Sequence, residues 1–322
     1  MSKIRVAVLR GGPSSEYDVS LLTGNTILKN LSEQYHPIDV LISRDGVWHV
    51  DGLPREPHSV LSHSDVVVNA LHGEYGEDGK VQQLLHHHNI PYTGSDPLGS
   101  ALGMHKLLAK KIYAQAGIKT PYHIPIERPG NIHEYAVHLH KTFPNPRVVK
   151  PVGAGSSVGV TVARNVMELE IGLAKIFDMR VDAFLEEYIG GKEASCGVID
   201  DFRGQGAYSL IPVEVRAKGS HFFDYNSKYA AEAHEIICPG NFTREESHAI
   251  QHAAKLAHKA LGLRHYSRSD FMVHPRRGIY ILETNTLPGM TEESLFPKAL
   301  HAIGCKLSDF LDHLIGLAMG RK

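Results

Sequence analysis

The sequence predicts an α/β protein whose first part is built on a parallel sheet. Two observations carry this reading: strand-length apolar runs alternate with helix-length segments, and the chain opens as strand, Gly-rich turn and helix. A third is that another apolar run, Val66-Val67-Val68, leads again into a loop and a helix. In such sheets ligands gather beyond the carboxyl ends of the strands, here the loops after Leu9 and Leu71.

Ile4, Val6, Val8 and Leu9 supply the first strand, Gly11-Gly12-Pro13-Ser14-Ser15 the turn. A helix then starts near Asp18 or Ser20 and carries Leu22, Ile27, Leu28 and Leu31. After Val66–Val68 come Leu71-His72-Gly73, a loop to Gly79, and a helix over Val81 to His88. Asp96-Pro97, a cap followed by Pro in the first turn, predicts one long helix through Leu98, Leu102, Leu108 and Ile112 to Gly117. A Pro-rich stretch, Pro121 to Pro146, contains one helix around His133 to His140.

Arg147 to Lys150 reads as a strand, Pro151 to Gly159 as a glycine loop, and Val160 to Ala163 as another strand. Asn165 with Glu168 starts a helix through Leu169, Leu173 and Phe177. Strands follow near Ala183–Tyr188 and Ala194–Ile199, then a polar, aromatic stretch, His221 to Tyr229, long enough to serve as a lid. Thr243 and Glu246 form a capping box before a helix through Ile250, Ala254, Ala257 and Leu261. The strands Ser267–Val273 and Ile279–Asn285 are joined by a turn around His274 to Gly278.

Composition narrows the function classes. At 322 residues the chain holds about two domains, or three small ones. It is 42% hydrophobic and 21% charged, with 34 Lys and Arg against 35 Asp and Glu, so no overall field draws nucleic acid or anionic lipid. No apolar run approaches the roughly 20 residues of a membrane helix. The opening, Met1 to Arg10, lacks the apolar core of a secretory signal, and Cys196, Cys238 and Cys305 form no even framework. The expectation is a cytoplasmic enzyme with neither nucleic acid nor membrane as partner.

Two segments carry chemistry. In Pro151 to Gly159, glycines and small hydroxyl residues let backbone N–H groups approach an anion. The spacing of Gly153, Gly155 and Gly159 is neither a dinucleotide fingerprint nor a Walker A. It reads as a hairpin lid over phosphates with Lys150 on its leading strand, or as an ordinary Gly-rich hairpin. In the last hairpin, Arg268 and Asp270 share one face, as do Glu283 and Asn285. Near-symmetric pairing brings the carboxylates together as a hard-oxygen site for Mg²⁺, whereas a one-residue slip turns one set away. Arg268 beside them stabilises a reacting oxygen, or makes only a surface ion pair.

With these residues in view, the sequence closely resembles the D-alanine–D-alanine ligases, within the ATP-grasp carboxylate–amine ligases. The matching segments are Gly11 to Ser20, Leu71 to Gly79, Pro91 to Ser95, Val149-Lys150-Pro151 with Gly155 to Gly159, Asp224-Tyr225 with Lys228-Tyr229, Arg268-Ser269-Asp270, and Glu283 to Met290 with Ser294-Leu295. They follow family order across nearly the whole chain.

The resemblance implies a three-domain ATP-grasp architecture: an N-terminal α/β domain (1–95), a small central ATP-grasp domain (96–187) and a C-terminal ATP-grasp domain (188–322). It implies that one D-alanine is activated by ATP as an acyl phosphate and a second displaces phosphate, for peptidoglycan precursor synthesis. Asp270, Glu283 and Asn285 are then ligands of two Mg²⁺ (or Mn²⁺). Lys106, Lys150, Ser156, Ser157 and Lys228 meet ATP phosphates, and Glu186 and Glu193 the adenine and ribose. Glu16 and His72 hold the first substrate, Arg268 and the Gly289 N–H the oxyanion, and Ser294 and Leu295 the second carboxylate.

Glu16, Ser156 and Tyr229 match a hydrogen-bonded set tying the first domain to the lid, and Tyr at 229 accompanies an amine acceptor. A homodimer is the family expectation. The alternatives are another ATP-grasp ligase, of D-Ala–D-Ser or D-lactate type for example, or a catalytically silent nucleotide sensor. Val152-Gly153-Ala154 lacks charged residues that many relatives carry, and Tyr17 stands where relatives often have a basic residue. His86-His87-His88 reads as a solvated helix face, since successive side chains point about 100° apart. Cys196 and Cys238 read as inert, and Trp48 and the stripes Leu102–Leu108–Ile112 and Ile250–Ala254–Leu261 as core.

Overall fold

The first sheet grows from strands too apolar to face water. In the computed structural model, which describes residues 3–153, 155, 158–217 and 234–320, Val6 to Leu9 have no exposed surface. They lie in β1 (Ile4–Gly11), which pairs in parallel with β2 (Tyr35–Ile42) on one side and β5 (Val66–Asn69) on the other. Two short antiparallel strands, β3 (Trp48–Val50) and β4 (Leu53–Arg55), extend the sheet to the order β4-β3-β2-β1-β5. Helices α1 (Tyr17–Asn30) and α2 (Pro57–Ser62) connect these strands, and α3 (Lys80–His87) follows β5. Because β1 and β5 are parallel neighbours, their carboxyl ends set the Gly11–Gly12 turn beside Ala70–His72. The Ser20 hydroxyl at the start of α1 locks this corner, accepting from the Gly11 N–H (2.8 Å) and donating to the Ala70 carbonyl (2.8 Å).

The long helix expected from Asp96 to Gly117 is two helices, α4 (Pro97–Met104) and α5 (Lys106–Gln115). Asp96 caps the first as read from the sequence, accepting from the Gly99 N–H. His105 breaks the run with φ −88° and ψ 90°, and its ring nitrogen caps α5 by accepting from the Leu108 N–H. Tertiary bonding holds the break: the Lys106 N–H donates to the Val152 carbonyl at 3.0 Å. The break also undoes the expected stripe, since Leu108 is 40% exposed. Leu22 on α1 is likewise exposed.

A four-stranded antiparallel sheet follows in the order β6-β9-β7-β8, from β6 (His123–Ile126), β7 (Arg147–Pro151), β8 (Thr161–Ala163) and β9 (Ala183–Glu187). Helices α6 (Ile132–Thr142) and α7 (Val166–Asp178) pack Leu139, Leu169, Leu173 and Ile176 against Val149 and Leu185. Alternation therefore turns Val148, Lys150 and Glu186 to the opposite face.

The third sheet is antiparallel, ordered β13-β12-β10-β14-β15 with β11 also on β10. Its strands are β10 (Lys192–Phe202), β11 (Gln205–Ser209), β12 (Val213–Ala217), β13 (His234–Ile237), β14 (Tyr266–His274) and β15 (Gly278–Asn285). Helix α8 (Arg244–Ala260), opened by the Thr243–Glu246 capping box, buries Ile250, Ala254 and Ala257 against Ala194, Cys196 and Phe271. Helices α9 (Leu295–Ala302) and α10 (Leu307–Ala318) join this sheet to the first: Phe296, Phe310 and Leu314 share a core with Val6, Val8 and Val66.

Gly103, near the end of α4, lies so close to β15 that an added Cβ would stand 2.7 Å from Thr286 Cγ2. Gly103→Val is expected to push α4 off the strand and cost about 1–3 kcal/mol. A thermal melt checks this; an unchanged midpoint would mean that α4 is not seated there.

Candidate active site

The chemistry-bearing hairpin owes its alignment to one extra residue. Next to the turn, His274 pairs with Gly278 and Phe271 with Ile281. Continued, that register would set Asp270 opposite Leu282 and turn Glu283 to the other face. The register instead shifts between Asp270 and Phe271, so that Asp270 pairs with Glu283 and Arg268 with Asn285. Leu282 is the bulge residue, and all four polar side chains share one face. The opposite face buries the neighbours: Ser269 bonds Thr284 (2.9 Å), which also accepts from the Tyr113 hydroxyl (2.8 Å).

Asp270 is fully engaged. Arg268 donates to both its oxygens, Nε to Oδ1 (2.9 Å) and Nη2 to Oδ2 (2.8 Å). Ser195, opposite on β10, donates to Oδ1 (2.7 Å), and Asn285 Nδ2 to Oδ2 (3.2 Å). Glu283 Oε2 lies 3.3 Å from Lys106 Nζ, at the start of α5. Burial disfavours the Arg268 charge, but Asp270, helped by Glu283 and Glu77, outweighs it and holds its pKa above the usual arginine value.

Beside this face opens a cleft of about 280 Å³, lined among others by Glu16, His72, Glu77, Arg268, Gly289 and Ser294. The first sheet supplies three of these from its two loops. Ser14 Oγ accepts from the Glu16 N–H (3.1 Å) and donates to the His72 carbonyl (2.5 Å). Asn69 and Gln82 shape the second loop, both donating to the Gly76 carbonyl. The Glu16 carboxylate sits between two glycines: an added Cβ would stand 2.8 Å from its Oε2 at Gly73 and 2.7 Å at Gly155. His72 is buried, with Nε2 2.9 Å from the Thr23 hydroxyl, and burial, with Arg268 nearby, pushes its pKa down to about 4. Across the cleft, Ser294 Oγ bonds Thr291 (2.7 Å) and lies 3.0 Å from where a Gly289 Cβ would be. Leu295 also lines the cleft.

Glu77 went unassigned in the sequence reading, although it lies inside the Leu71 to Gly79 segment. It accepts from the Gly73 N–H (2.7 Å) and the Leu287 N–H (3.3 Å), bridging loops of two sheets. Burial, and then the Glu16 charge, raise its pKa to about 8.

A second cleft, about 140 Å³, is lined among others by Lys106, Lys150, Glu186 and Tyr188. Glu193, Asp270 and Glu283 line both clefts and form the wall between them. Glu186 is 1% exposed, with Oε2 2.5 Å from Lys150 and Oε1 against Lys110. Burial pushes its pKa up, but the two lysines hold it below the usual carboxylate range. Lys110 is the second residue the sequence reading missed. Ala154, Ser156, Ser157, Lys228, Tyr229 and the whole stretch His221 to Tyr229 lie outside the described residues.

Two carboxylates and an amide on one face suit a hard cation, and Arg268 and Lys106 nitrogens lie against the two carboxylates. Among the described residues no three His, Cys, Asp or Glu converge on a metal site. A cation held here would therefore draw further oxygens from a bound phosphate and water. Apposed clefts, one bearing two lysines and the other an arginine, with carboxylates between them, suit transfer of a phosphoryl group to an acid.

Comparison with known proteins agrees. Residues 5–60 and 53–95 match the family profile described as D-ala D-ala ligase N-terminus, and residues 112–316 that of D-ala D-ala ligase C-terminus. A D-alanine–D-alanine ligase of Geobacter sulfurreducens is 39% identical over 97% of this chain and 93% of its own. The crystal structure of the D-alanine–D-alanine ligase of Bacillus anthracis complexed with ATP is 32% identical with a TM-score of 0.79, over 99% of this chain and 98% of that one. The VanG D-Ala:D-Ser ligase of Enterococcus faecalis is 31% identical with a TM-score of 0.83, over 98% and 99%. With both family profiles matched in order along the chain, this protein belongs to the D-alanine–D-alanine ligase family.

Proposed function

We propose that this chain is a D-alanine–D-alanine ligase, joining two D-alanine molecules with release of ADP and phosphate for peptidoglycan precursor synthesis. The observation that carries this is the shared wall: Asp270 and Glu283 border both the lysine-bearing cleft and the cleft of Glu16, His72 and Arg268. ATP occupies the first, with Lys106 and Lys150 toward its phosphates and Glu193 toward its sugar. The domain divisions near residues 95 and 187 set these clefts between the sheets.

The first D-alanine lies with its ammonium toward Glu16 and Glu77 and its carboxylate toward the wall. Carboxylate and triphosphate repel, so their approach needs positive charge from both sides. Arg268 serves one side and the two lysines the other. The carboxylate oxygen takes the γ-phosphoryl group and ADP leaves; the neutral amine of a second D-alanine then attacks the acyl carbon, and phosphate leaves as the acyl C–O bond breaks. Arg268 and the Gly289 N–H hold the oxyanion that forms, and Ser294 with Leu295 positions the second carboxylate. Mg²⁺ held by Asp270, Glu283 and Asn285 would supply charge neutralisation at the transferring phosphoryl oxygens. Ser156, Ser157 and Lys228 complete the phosphate contacts, and Tyr229 with Ser156 and Glu16 closes the site around an amine acceptor. The setting we infer is the cytoplasm, consistent with three free cysteines, and the assembly a homodimer. No helix among the described residues is long and apolar enough to cross a membrane.

Phosphate release from Mg-ATP should be stimulated by D-alanine and not by L-alanine, and product analysis should find D-alanyl-D-alanine. Faster turnover with D-serine or D-lactate as acceptor would shift the assignment to a different ligase. Glu283→Gln should lower kcat by at least about a hundredfold while leaving the thermal midpoint intact. Near-normal turnover in that variant would defeat the metal assignment.

Glu77 gives a pH test. Its folded pKa, about 8, exceeds the ordinary 4.5, so the folded protein holds a proton that the unfolded chain has lost. Stability relative to Glu77→Gln is therefore greatest below about pH 4.5 and declines, by on the order of a few kcal/mol, as pH rises toward 8. Melts of both proteins at several pH values measure this. A difference that does not vary with pH would mean that Glu77 titrates normally.

A further inference from the structure

Helix α5 carries two lysines one turn apart that end on different sheets. Lys106 reaches Glu283 on β15, in the six-stranded sheet. Lys110 reaches Glu186 on β9, in the four-stranded sheet. The Lys110 side chain has no exposed surface, and its Nζ also donates to the Thr120 hydroxyl at 2.8 Å. Thr120 in turn donates to the Ile281 carbonyl on β15 (3.1 Å), so the buried ammonium is braced against both sheets. It lies over the Phe184 ring at 5.9 Å and lines neither cleft.

Lys150 shares the same carboxylate, through the other oxygen, and does line the ATP cleft. Two lysines therefore share one buried glutamate, one on each oxygen. Were Lys110 absent, Glu186 and Lys150 would close into a neutral pair, and a buried carboxylate would hold the lysine to itself. Burial pulls the Lys110 pKa down, while Glu186 keeps that of Lys150 above its usual value against the same burial.

We propose that Lys110 is a positioning residue for ATP: by taking one oxygen of Glu186 it fixes that carboxylate and leaves Lys150 with charge to offer the phosphates. Through Lys106 and Lys110 together, α5 holds the two sheets that wall the cleft at a set separation. The proposal rests on the reading of Lys150 as a phosphate contact. Glu186 itself lines the same cleft, and the double variant below separates its capture of Lys150 from a direct contact with the nucleotide.

The test uses the full chain with Lys110→Met, Lys150→Met and the double variant Lys110→Met/Glu186→Gln, measuring KM for ATP and for D-alanine separately. Lys110→Met should raise KM for ATP about tenfold or more, the scale of one lost charge-assisted hydrogen bond, with KM for D-alanine essentially unmoved. Adding Glu186→Gln should recover most of the lost ATP affinity, because it removes the carboxylate that captures Lys150. A merely structural lysine would not be rescued in this way.

An unchanged KM for ATP in Lys110→Met, with Lys150→Met impaired, overturns the brace alone. A double variant worse than Lys110→Met overturns it in favour of direct contact between Glu186 and the nucleotide. Normal ATP use by Lys150→Met removes the phosphate assignment itself, and the brace falls with it. If Lys110→Met does not fold, the double variant decides. ATP affinity well above that of Lys150→Met supports the proposal, and an equal loss overturns it.

Discussion

The site depends on the register of one hairpin. The side-chain period of a strand is two, so a slip of one residue moves every group beyond it to the other face. Between the turn and Asp270 the pairing is regular, and left alone it would bury Glu283 among the apolar residues facing α8. The bulge at Leu282 converts that misplacement into alignment, and Asp270, Glu283, Arg268 and Asn285 then meet on one surface. A bulge also bends and twists its strand, so it must be held on both sides. Ser269, Thr284 and Tyr113 do this from below with two buried hydrogen bonds, and Ser195 does it from the adjacent strand.

Once gathered, these charges need partners even without substrate. A half-buried carboxylate left alone is costly, and here each of the two finds a cation: Arg268 for Asp270 and Lys106 for Glu283. These contacts hold the donors in place before any ligand arrives. A divalent ion and a triphosphate would then exchange partners with groups already oriented, rather than order free side chains. The same rule explains the second cleft, where Glu186 is satisfied by two lysines, only one of them facing the ligand space.

Much of this was legible in the residues, and the failures have physical causes. Strand alternation was enough to put Arg268 with Asp270 and Glu283 with Asn285, and capping chemistry located α7 and α8. The bulge was not readable from turn geometry. Its one trace is the unbroken apolar run Ile279 to Leu282, where a half-buried strand should alternate. The break at His105 has only Gly103, two residues earlier, as a local sign, because it is set by the Val152 carbonyl, some forty-five residues along the chain. Leu108 is exposed for the same reason, since the helical period does not continue through the break. Lys110 lies in Ala109-Lys110-Lys111-Ile112, which reads as solvated helix until tertiary structure lays one lysine under two sheets. Glu77 sat inside a matched segment, but only the bridge from the Gly73 to the Leu287 N–H gives it a task.

The glycines around Glu16 connect the first sheet to the rest. Its carboxylate can stand where it does only because Gly73 and Gly155 present no side chain; a methyl group at either would collide with it. One of these glycines belongs to the loop after β5 and the other to the loop between β7 and β8. The anion thus fills a gap between the parallel sheet and the four-stranded one. A carboxylate in that gap repels Glu77, which is why burial alone does not account for the raised pKa there. An ammonium entering the cleft would relieve that repulsion, letting Glu77 ionise and keep its two backbone donors. The raised pKa of Glu77 thus has two sources, its burial first and then the Glu16 charge across the gap between the sheets.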